Sequence, residues 1–279
     1  MQRVSRSFKR IPLGRVISLA LVGAYALTAL VPVWSMVVIA SAPNDRDLSG
    51  VGLPGPGLFT NLGTVLGEAP FRRYLWNSIG VTMAVSLLDV AISAAAGYAL
   101  ARLVFPGRRL FMNLVVVALS LSPVVVAIPV YVMMAKIGWL DSYQALILPF
   151  AVSAMGVFLV RQFALAIPAQ MLHAARVDGA SEFHIFRRIV LPLLRPALLT
   201  LMLLQFLAQW DNLFWPLIAA SSQELWTVPL GLASFQGQYG FVYYLLMTGA
   251  LVSVVPPFVL FFLLQKYYVS GLTLGGVKQ

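Results

Sequence analysis

The chain has no cysteine and little charge: Asp, Glu, Lys and Arg together make up 10% of its 279 residues. The missing cysteine excludes a disulfide framework, a cysteine nucleophile, thiolate zinc sites and iron–sulfur ligation. Two histidines, His173 and His184, are too few for a histidine metal site. A soluble domain of this length carries roughly 25% charged residues, so most of this chain must face lipid or other apolar helices. None of the four lysines follows a glycine in the pattern of a phosphate-binding loop, so the chain is not expected to hydrolyse ATP. A His-Glu-x-x-His helix and a Gly-x-Ser-x-Gly elbow are also missing. The expectation is a non-enzymatic chain with no catalytic residue, no metal and no cofactor of its own.

What the chain does have is apolar length. A membrane span takes about 20 apolar residues. Residues 16–40 carry no charge, residues 74–101 carry only Asp89, and residues 110–135 and 142–160 carry none. Residues 196–220 hold only Asp211. Residues 225–265 form an uncharged run of 41, too long for one span. Polar and glycine residues from Gln236 to Gly240 put the start of its helix near Tyr243. The count is six spans in an all-α polytopic membrane protein. The first segment ends in Ala40-Ser41-Ala42, which resembles a signal-peptide cleavage site. Its apolar run is much longer than the roughly 7–15 residues of a signal peptide, so an uncleaved helix is expected.

With the N-terminus inside, 15 of the 19 Lys and Arg residues fall on the inner side, leaving Arg46, Arg72, Arg73 and Lys136 outside. That asymmetry places both termini in the cytoplasm of an inner-membrane protein. The net charge of +10 then reads as a membrane-orientation signal, and no nucleic-acid partner is expected. The expected organisation is a cytoplasmic N-terminus (1–15), a first span (16–40), an extracytoplasmic loop (41–72), a core membrane domain (73–268) and a cytoplasmic tail (269–279). The Gly- and Pro-rich stretch 41–73 reads as an irregular surface segment. Residues 161–195 carry charge and helical periodicity, so they should be ordered.

Within that inner segment, Pro168 suits a helix start, Gly179 breaks the run, and Ser181 with Glu182 opens a second helix. Pro192 is expected to close it. Val177, Ala180, Phe183, Phe186 and Val190 recur every three or four residues and predict one exposed apolar stripe. Two readings follow: an amphipathic element lying on lipid or on its own protein, or a helix docking into the groove of a partner.

His173-Ala174-Ala175-Arg176-Val177-Asp178-Gly179-Ala180-Ser181, followed by Ile189-Val190-Leu191-Pro192, resembles the EAA motif of the membrane subunits of ABC importers. The glycine stands at the family's spacing after the second alanine, while His173 replaces the family's glutamate. Further similar runs are Arg72–Ser78, Trp210-Asp211-Asn212-Leu213-Phe214-Trp215-Pro216-Leu217, Leu232–Gly240 and the tail Gly271–Lys278. Together they make the chain similar to the shorter, six-helix permease of maltose-type carbohydrate importers, from about residue 70 onward. The resemblance implies a type I (MetI-like) core with a cytoplasmic coupling helix. Its implied coupling residues are His173, Ala174, Ala175, Asp178, Gly179, Ala180, Phe183, Phe186 and Pro192. It also implies an ATPase-contacting tail (Gly275, Gly276, Lys278). The implied partners are a second permease subunit, an ABC ATPase dimer that binds ATP and Mg, an extracytoplasmic sugar-binding protein, the bilayer and a carbohydrate substrate. Glycerol phosphate or another polyol is the alternative cargo, and a proton-coupled secondary transporter is the rival class.

Asp89 and Asp211 lie in expected spans, where a carboxylate is costly and points to function by default. Trp210, Asp211, Asn212 and Trp215 combine aromatic rings with polar groups, which suits sugar recognition along a substrate pathway. The same residues also suit a polar contact that only holds helices together. For Asp89 the structural hydrogen bond is the favoured reading.

Overall fold

The computed structural model describes residues 13–43, 52–67, 70–238 and 242–274. The described residues are helical with connecting turns. In chain order the helices are α1 (Leu13–Ala40), α2 (Leu58–Gly67), α3 (Phe71–Arg102), α4 (Arg108–Ser120), α5 (Pro123–Lys136), α6 (Tyr143–Ile147), α7 (Ala154–Ala166), α8 (Ala169–Val177), α9 (Glu182–Ile185), α10 (Leu191–Trp210), α11 (Phe214–Ala219), α12 (Val228–Gln238) and α13 (Tyr243–Leu274). Among the described residues, five stretches are long and apolar enough to cross a membrane, and the α4–α5 pair makes a sixth if counted as one span. The last helix starts at Tyr243, where the composition change put it.

The third expected span, 110–135, is not one straight helix. It is broken between α4 and α5, which lie 109° apart. The cause is local: Pro123 has no N–H and disfavours helical backbone at Ser122, and both Leu121 and Ser122 are extended. The expected span 196–220 is also broken. α10 ends at Trp210, Asp211 sits at its C-terminal cap, and α11 begins after a short turn. Pro192 does not close the preceding segment as expected. The helix runs on from α9 through a π-helical turn, Phe186–Val190, into α10, and that wider turn lies directly before the proline that cannot donate.

The described part of the stretch 41–73 is more ordered than an irregular surface loop. Within it α2 packs on α3 and α13 and buries Asn61 and Val65. Ser41 is fully buried, and Asn61 Nδ2 donates to the carbonyls of Ala40 and Ala42 at 2.8 and 2.9 Å. Thr248 Oγ1 also donates to Ala40 O. An asparagine on a short helix thus closes the end of α1, which is otherwise exposed along most of its length.

The centre of the bundle is the α3–α7–α10 contact. Small residues on α3 let α7 approach. A Cβ added at Gly97 would come within 2.9 Å of the Arg161 backbone nitrogen and within 2.7 Å of the Val160 side chain. At the end carrying Arg102, Arg161 and Arg195, Tyr98, Val160, Ala164, Leu172, Ile185, Val190 and Leu194 form one buried cluster. At the opposite end a second cluster gathers Val81, Val85, Met134, Leu146, Trp215 and Ala219. There the run Arg72–Ser78 holds the turn before α12: Asn77 Nδ2 donates to Glu224 O and Trp226 O, and Ser78 Oγ accepts from Val228 N.

Asp89 occupies the middle of α3 and is fully buried. Its Oδ1 accepts from Ser93 Oγ at 2.9 Å and from Ser153 N at 2.7 Å, and its Oδ2 accepts from Ser153 Oγ at 2.9 Å. Ser153 is the N-cap of α7 and also accepts from Gly156 N. The carboxylate therefore faces the positive end of α7 at the point where the 143–166 span is broken. This is a structural role, as the sequence favoured. Asp89→Ala should lower stability by about 3 kcal/mol, because hydrogen bonds to a carboxylate contribute about 1.5–3 kcal/mol each and do not add fully. Asp89→Asn keeps one acceptor and should cost less. Unfolding in detergent, followed by circular dichroism, checks the order; equal stability of both variants with the parent would contradict it.

Candidate functional site

The segment between α7 and α10 protrudes from the basic end of the bundle as an elbow. α8 ends in a Schellman turn: Ala180 N donates to Ala175 O and Gly179 N to Arg176 O, each at 3.0 Å. Gly179 has φ +81°, a conformation closed to most residues with a β-carbon. Nothing lies within 4 Å of where its Cβ would be, so the requirement is torsional and not steric. Ser181 then caps α9 by accepting from His184 N at 3.3 Å.

Three side chains fasten the elbow to the bundle. Arg176 Nε donates to Glu182 Oε1 at 2.6 Å, bridging the two arms of the turn. Tyr98 OH, on α3, donates to Glu182 Oε2 at 3.0 Å. The Tyr98 ring lies 5.4 Å from that of Phe186. The hydrogen bond to Glu182 raises the pKa of the Arg176 guanidinium further, so the arginine stays charged throughout the neutral range. Leu172, Ile185 and Val190 anchor the same segment in the buried cluster.

The expected apolar stripe is divided. Val177 and Phe183 are 86% and 70% exposed and flank the turn. Phe186 and Val190 turn inward, and Ala175 and Ala180 pack partly against the same cluster. The left-handed residue at 179 changes the direction of the chain, and the π-helical turn shifts the register after 185, so a straight-helix periodicity does not carry across. His173, Ala174, Asp178 and Gly179 are on the outer face with Val177 and Phe183, while Pro192 is exposed in the first turn of α10. Gly275, Gly276 and Lys278 lie outside the described residues. Tyr98 was missed by sequence reasoning: nothing in its surroundings in the chain signals a partner in the elbow. Glu182 was read as a helix-end charge only.

The second candidate group lies near the opposite end. Trp210 stacks on Phe206 at 5.6 Å and is buried. Trp215 is buried too; its Nε1 donates to Ala145 O at 2.8 Å, and its backbone N–H donates to Asn212 Oδ1 at 3.2 Å. Both rings are therefore packed inside the chain, and Asn212 caps α11. Asp211 alone among the four is exposed. An apolar recess of about 410 Å³ adjoins α5 and α11, lined by Ala127, Ile128, Tyr131, Phe214 and Ile218. A neighbouring carboxylate with no sequence signal, Asp141, accepts from Ser222 N at 2.8 Å and from Ser222 Oγ, and these bonds hold its pKa below the usual carboxylate range.

Residues 90–273 match the family described as binding-protein-dependent transport system inner membrane component. The chain is 36% identical over 259 residues to the arabinooligosaccharides transport system permease protein AraQ of Bacillus subtilis (strain 168), covering 91% of this chain and 92% of that one. It is 32% identical over 259 residues to the trehalose/maltose transport system permease protein MalG of Thermococcus litoralis, covering 91% and 93%. A solved chain from a bacterial ABC transporter involved in import of the acidic polysaccharide alginate superposes with a TM-score of 0.78 at 24% identity. That likeness spans 96% of this chain and all of that one, and establishes the shared fold.

Because the turn at Gly179 is torsional, Gly179→Val should destabilise the elbow by about 1–2 kcal/mol, and Gly179→Asn by less, since Asn tolerates this conformation. Hydrogen exchange of the α8 and α9 amides reads the difference. Unchanged protection in the valine variant would show that the turn does not hold the elbow's shape.

Proposed function

As the chain belongs to the family of binding-protein-dependent transport system inner membrane components, we propose that it is a membrane-spanning permease subunit of an ATP-driven importer whose elbow seats in a separate ATPase and whose cargo is a carbohydrate. The observation that carries the coupling role is the elbow itself: two exposed apolar side chains, Val177 and Phe183, stand on a turn tied to the bundle by Arg176, Glu182 and Tyr98. An element that only rests on lipid gains nothing from a charged brace to the bundle. An element that transmits movement needs one.

In this reading the basic end is cytoplasmic, in accord with the charge asymmetry of the loops. ATP and Mg bind to the partner ATPase dimer. A second permease subunit completes the translocation pathway, and an extracytoplasmic binding protein delivers the sugar at the end carrying Arg73, Glu224 and α2. His173, Ala174, Asp178, Gly179 and Phe183 form the contact surface, and Gly275, Gly276 and Lys278 of the tail are a further ATPase contact in this reading. Ala175, Ala180 and Phe186 support that surface from within. Carbohydrate as the cargo is supported by the arabinooligosaccharide and trehalose/maltose systems to which the relatives belong. Asp211, exposed at a helix break inside an apolar span, is the pathway residue. Trp210, Asn212 and Trp215 shape the break around it.

Transport then follows population-shift logic. ATP and loaded binding protein each prefer one of two orientations of the permease pair, and the ratio moves only by that difference in affinity. Phe183→Asp places a charge in the apolar contact and should weaken ATPase association by about 2 kcal/mol. Co-purification with the ATPase and ATP turnover with loaded binding protein check it; full association and stimulation would sink the coupling role. Uptake into vesicles should require internal nucleotide, and accumulation driven by a pH gradient alone would transfer the protein to the secondary transporters. In the same assay Asp211→Asn should slow uptake with assembly intact, and unchanged kinetics would remove Asp211 from the pathway.

A further inference from the structure

A cavity of about 500 Å³ opens beside the turn that joins α3 to α4 at the basic end of the bundle. Its lining combines Arg108, Arg109, Arg161 and Asn113 with the apolar Phe105 and Met112. The Nε of Arg161 is buried and has no hydrogen-bond partner. That nitrogen is closed to a ligand in the cavity, so it is the rest of the partly buried Arg161 side chain, which also lines the cavity, that can meet one. Among the described residues the ion pairs are Arg73–Glu224 and Arg176–Glu182, so no carboxylate neutralises Arg161.

The neighbouring arginines have other work. Arg102 donates from Nε to Ala164 O and from Nη2 to Leu165 O and Ile167 O, closing the C-terminal end of α7. Arg108 does the same for α3, through Leu100 O and Ala101 O. Arg109 is exposed at the cavity wall and, like Arg161, has no carbonyl or carboxylate assigned to it by the fold. α4 starts at this wall, and its N-cap, Gly107, provides no side-chain cap, so the positive end of a 13-residue helix adds to the field.

We propose that this cavity binds a phosphate-bearing anion, with the headgroup of an anionic membrane phospholipid as its source. Arg161 and Arg109 hold the phosphate oxygens through charge-assisted hydrogen bonds, and Asn113 donates from the same lining. The apolar Phe105 and Met112 suit the glycerol backbone and the start of an acyl chain, which a free phosphate would leave uncovered. The position suits a headgroup as well, because Arg161 lies about one and a half turns inside the end of α7, near the basic end of that candidate span. The lipid would complete the polar lining of the cavity and hold α4 against α7.

Native mass spectrometry of the full-length chain, released from vesicles of equal phosphatidylglycerol and phosphatidylcholine, tests this. Phosphatidylglycerol should be retained about tenfold over phosphatidylcholine, and Arg161→Gln should remove that preference. Arg109→Gln, at an exposed position that does not endanger folding, should reduce it severalfold, while Arg73→Gln at the far end should leave it unchanged. A second arm titrates inorganic phosphate in phosphatidylcholine discs. Saturable, Arg161-dependent thermal protection there, without any lipid preference, would keep the phosphate site and move its source to the soluble anion. Absence of both effects, or undiminished phosphatidylglycerol retention in both cavity variants, would overturn the proposal.

Discussion

A backbone N–H or C=O left without a partner in lipid costs several kcal/mol, because no water is there to replace it. The rest of this structure depends on how that constraint is met. The chain interrupts its helices at Ser122, Ser153 and Asp211, and at the ends of α1, α3 and α7. At most of these points a side chain from elsewhere supplies what the helix lacks. Asp89 accepts at Ser153, Asn61 donates to the end of α1, Arg108 closes α3, Arg102 closes α7 and Asn212 receives Trp215 N. Most of these polar side chains are better understood as completing the backbone than as binding solutes.

The same economy gives the elbow its stiffness. One carboxylate, Glu182, accepts from Arg176 across the turn and from Tyr98 on the central helix. The elbow and α3 are thereby joined through the charge-assisted Tyr98–Glu182 hydrogen bond and through the Tyr98–Phe186 contact, while Arg176–Glu182 braces the elbow internally. Partial exposure of the Arg176–Glu182 pair means that its value for global stability is modest. Its consequence is geometric. The segment carrying Val177 and Phe183 is linked to α3 through Glu182, Tyr98 and Phe186, and α3 packs on both α7 and α10. Coupling by rigid-body movement of helices requires a connection of this kind.

Much of this was legible in the sequence, and for physical reasons. Apolar run length reports membrane crossing directly, which is why the spans and the start of α13 at Tyr243 could be read. The left-handed turn at Gly179 and the cap at Ser181 follow from local stereochemistry and needed no tertiary information. Features set by distant contacts were hidden. The 109° bend at Ser122–Pro123 was masked by unbroken apolarity on both sides. The order within 41–73 depends on Asn61 reaching back to Ala40. The division of the 177–190 stripe depends on a π-helical turn that simple periodicity does not contain. Arg102 and Arg108 were counted as orientation signals, but their capping of two helix ends could not be seen without the fold.

In the proposed coupling, the exposed pair at the elbow sits in a partner ATPase and moves with it. The chain has no cysteine of its own, so a single cysteine at Val177 or Phe183 provides a clean probe. The most direct measurement is disulfide cross-linking of each to cysteines placed along the surface groove of the ATPase, in the assembled transporter, with and without ATP. Both positions should cross-link to the same groove residues in both nucleotide states, since the elbow rides with its partner, while a cysteine at Ser142 on the opposite end gives none. Absence of cross-links from 177 and 183, in a complex that still hydrolyses ATP in response to loaded binding protein, would contradict the account.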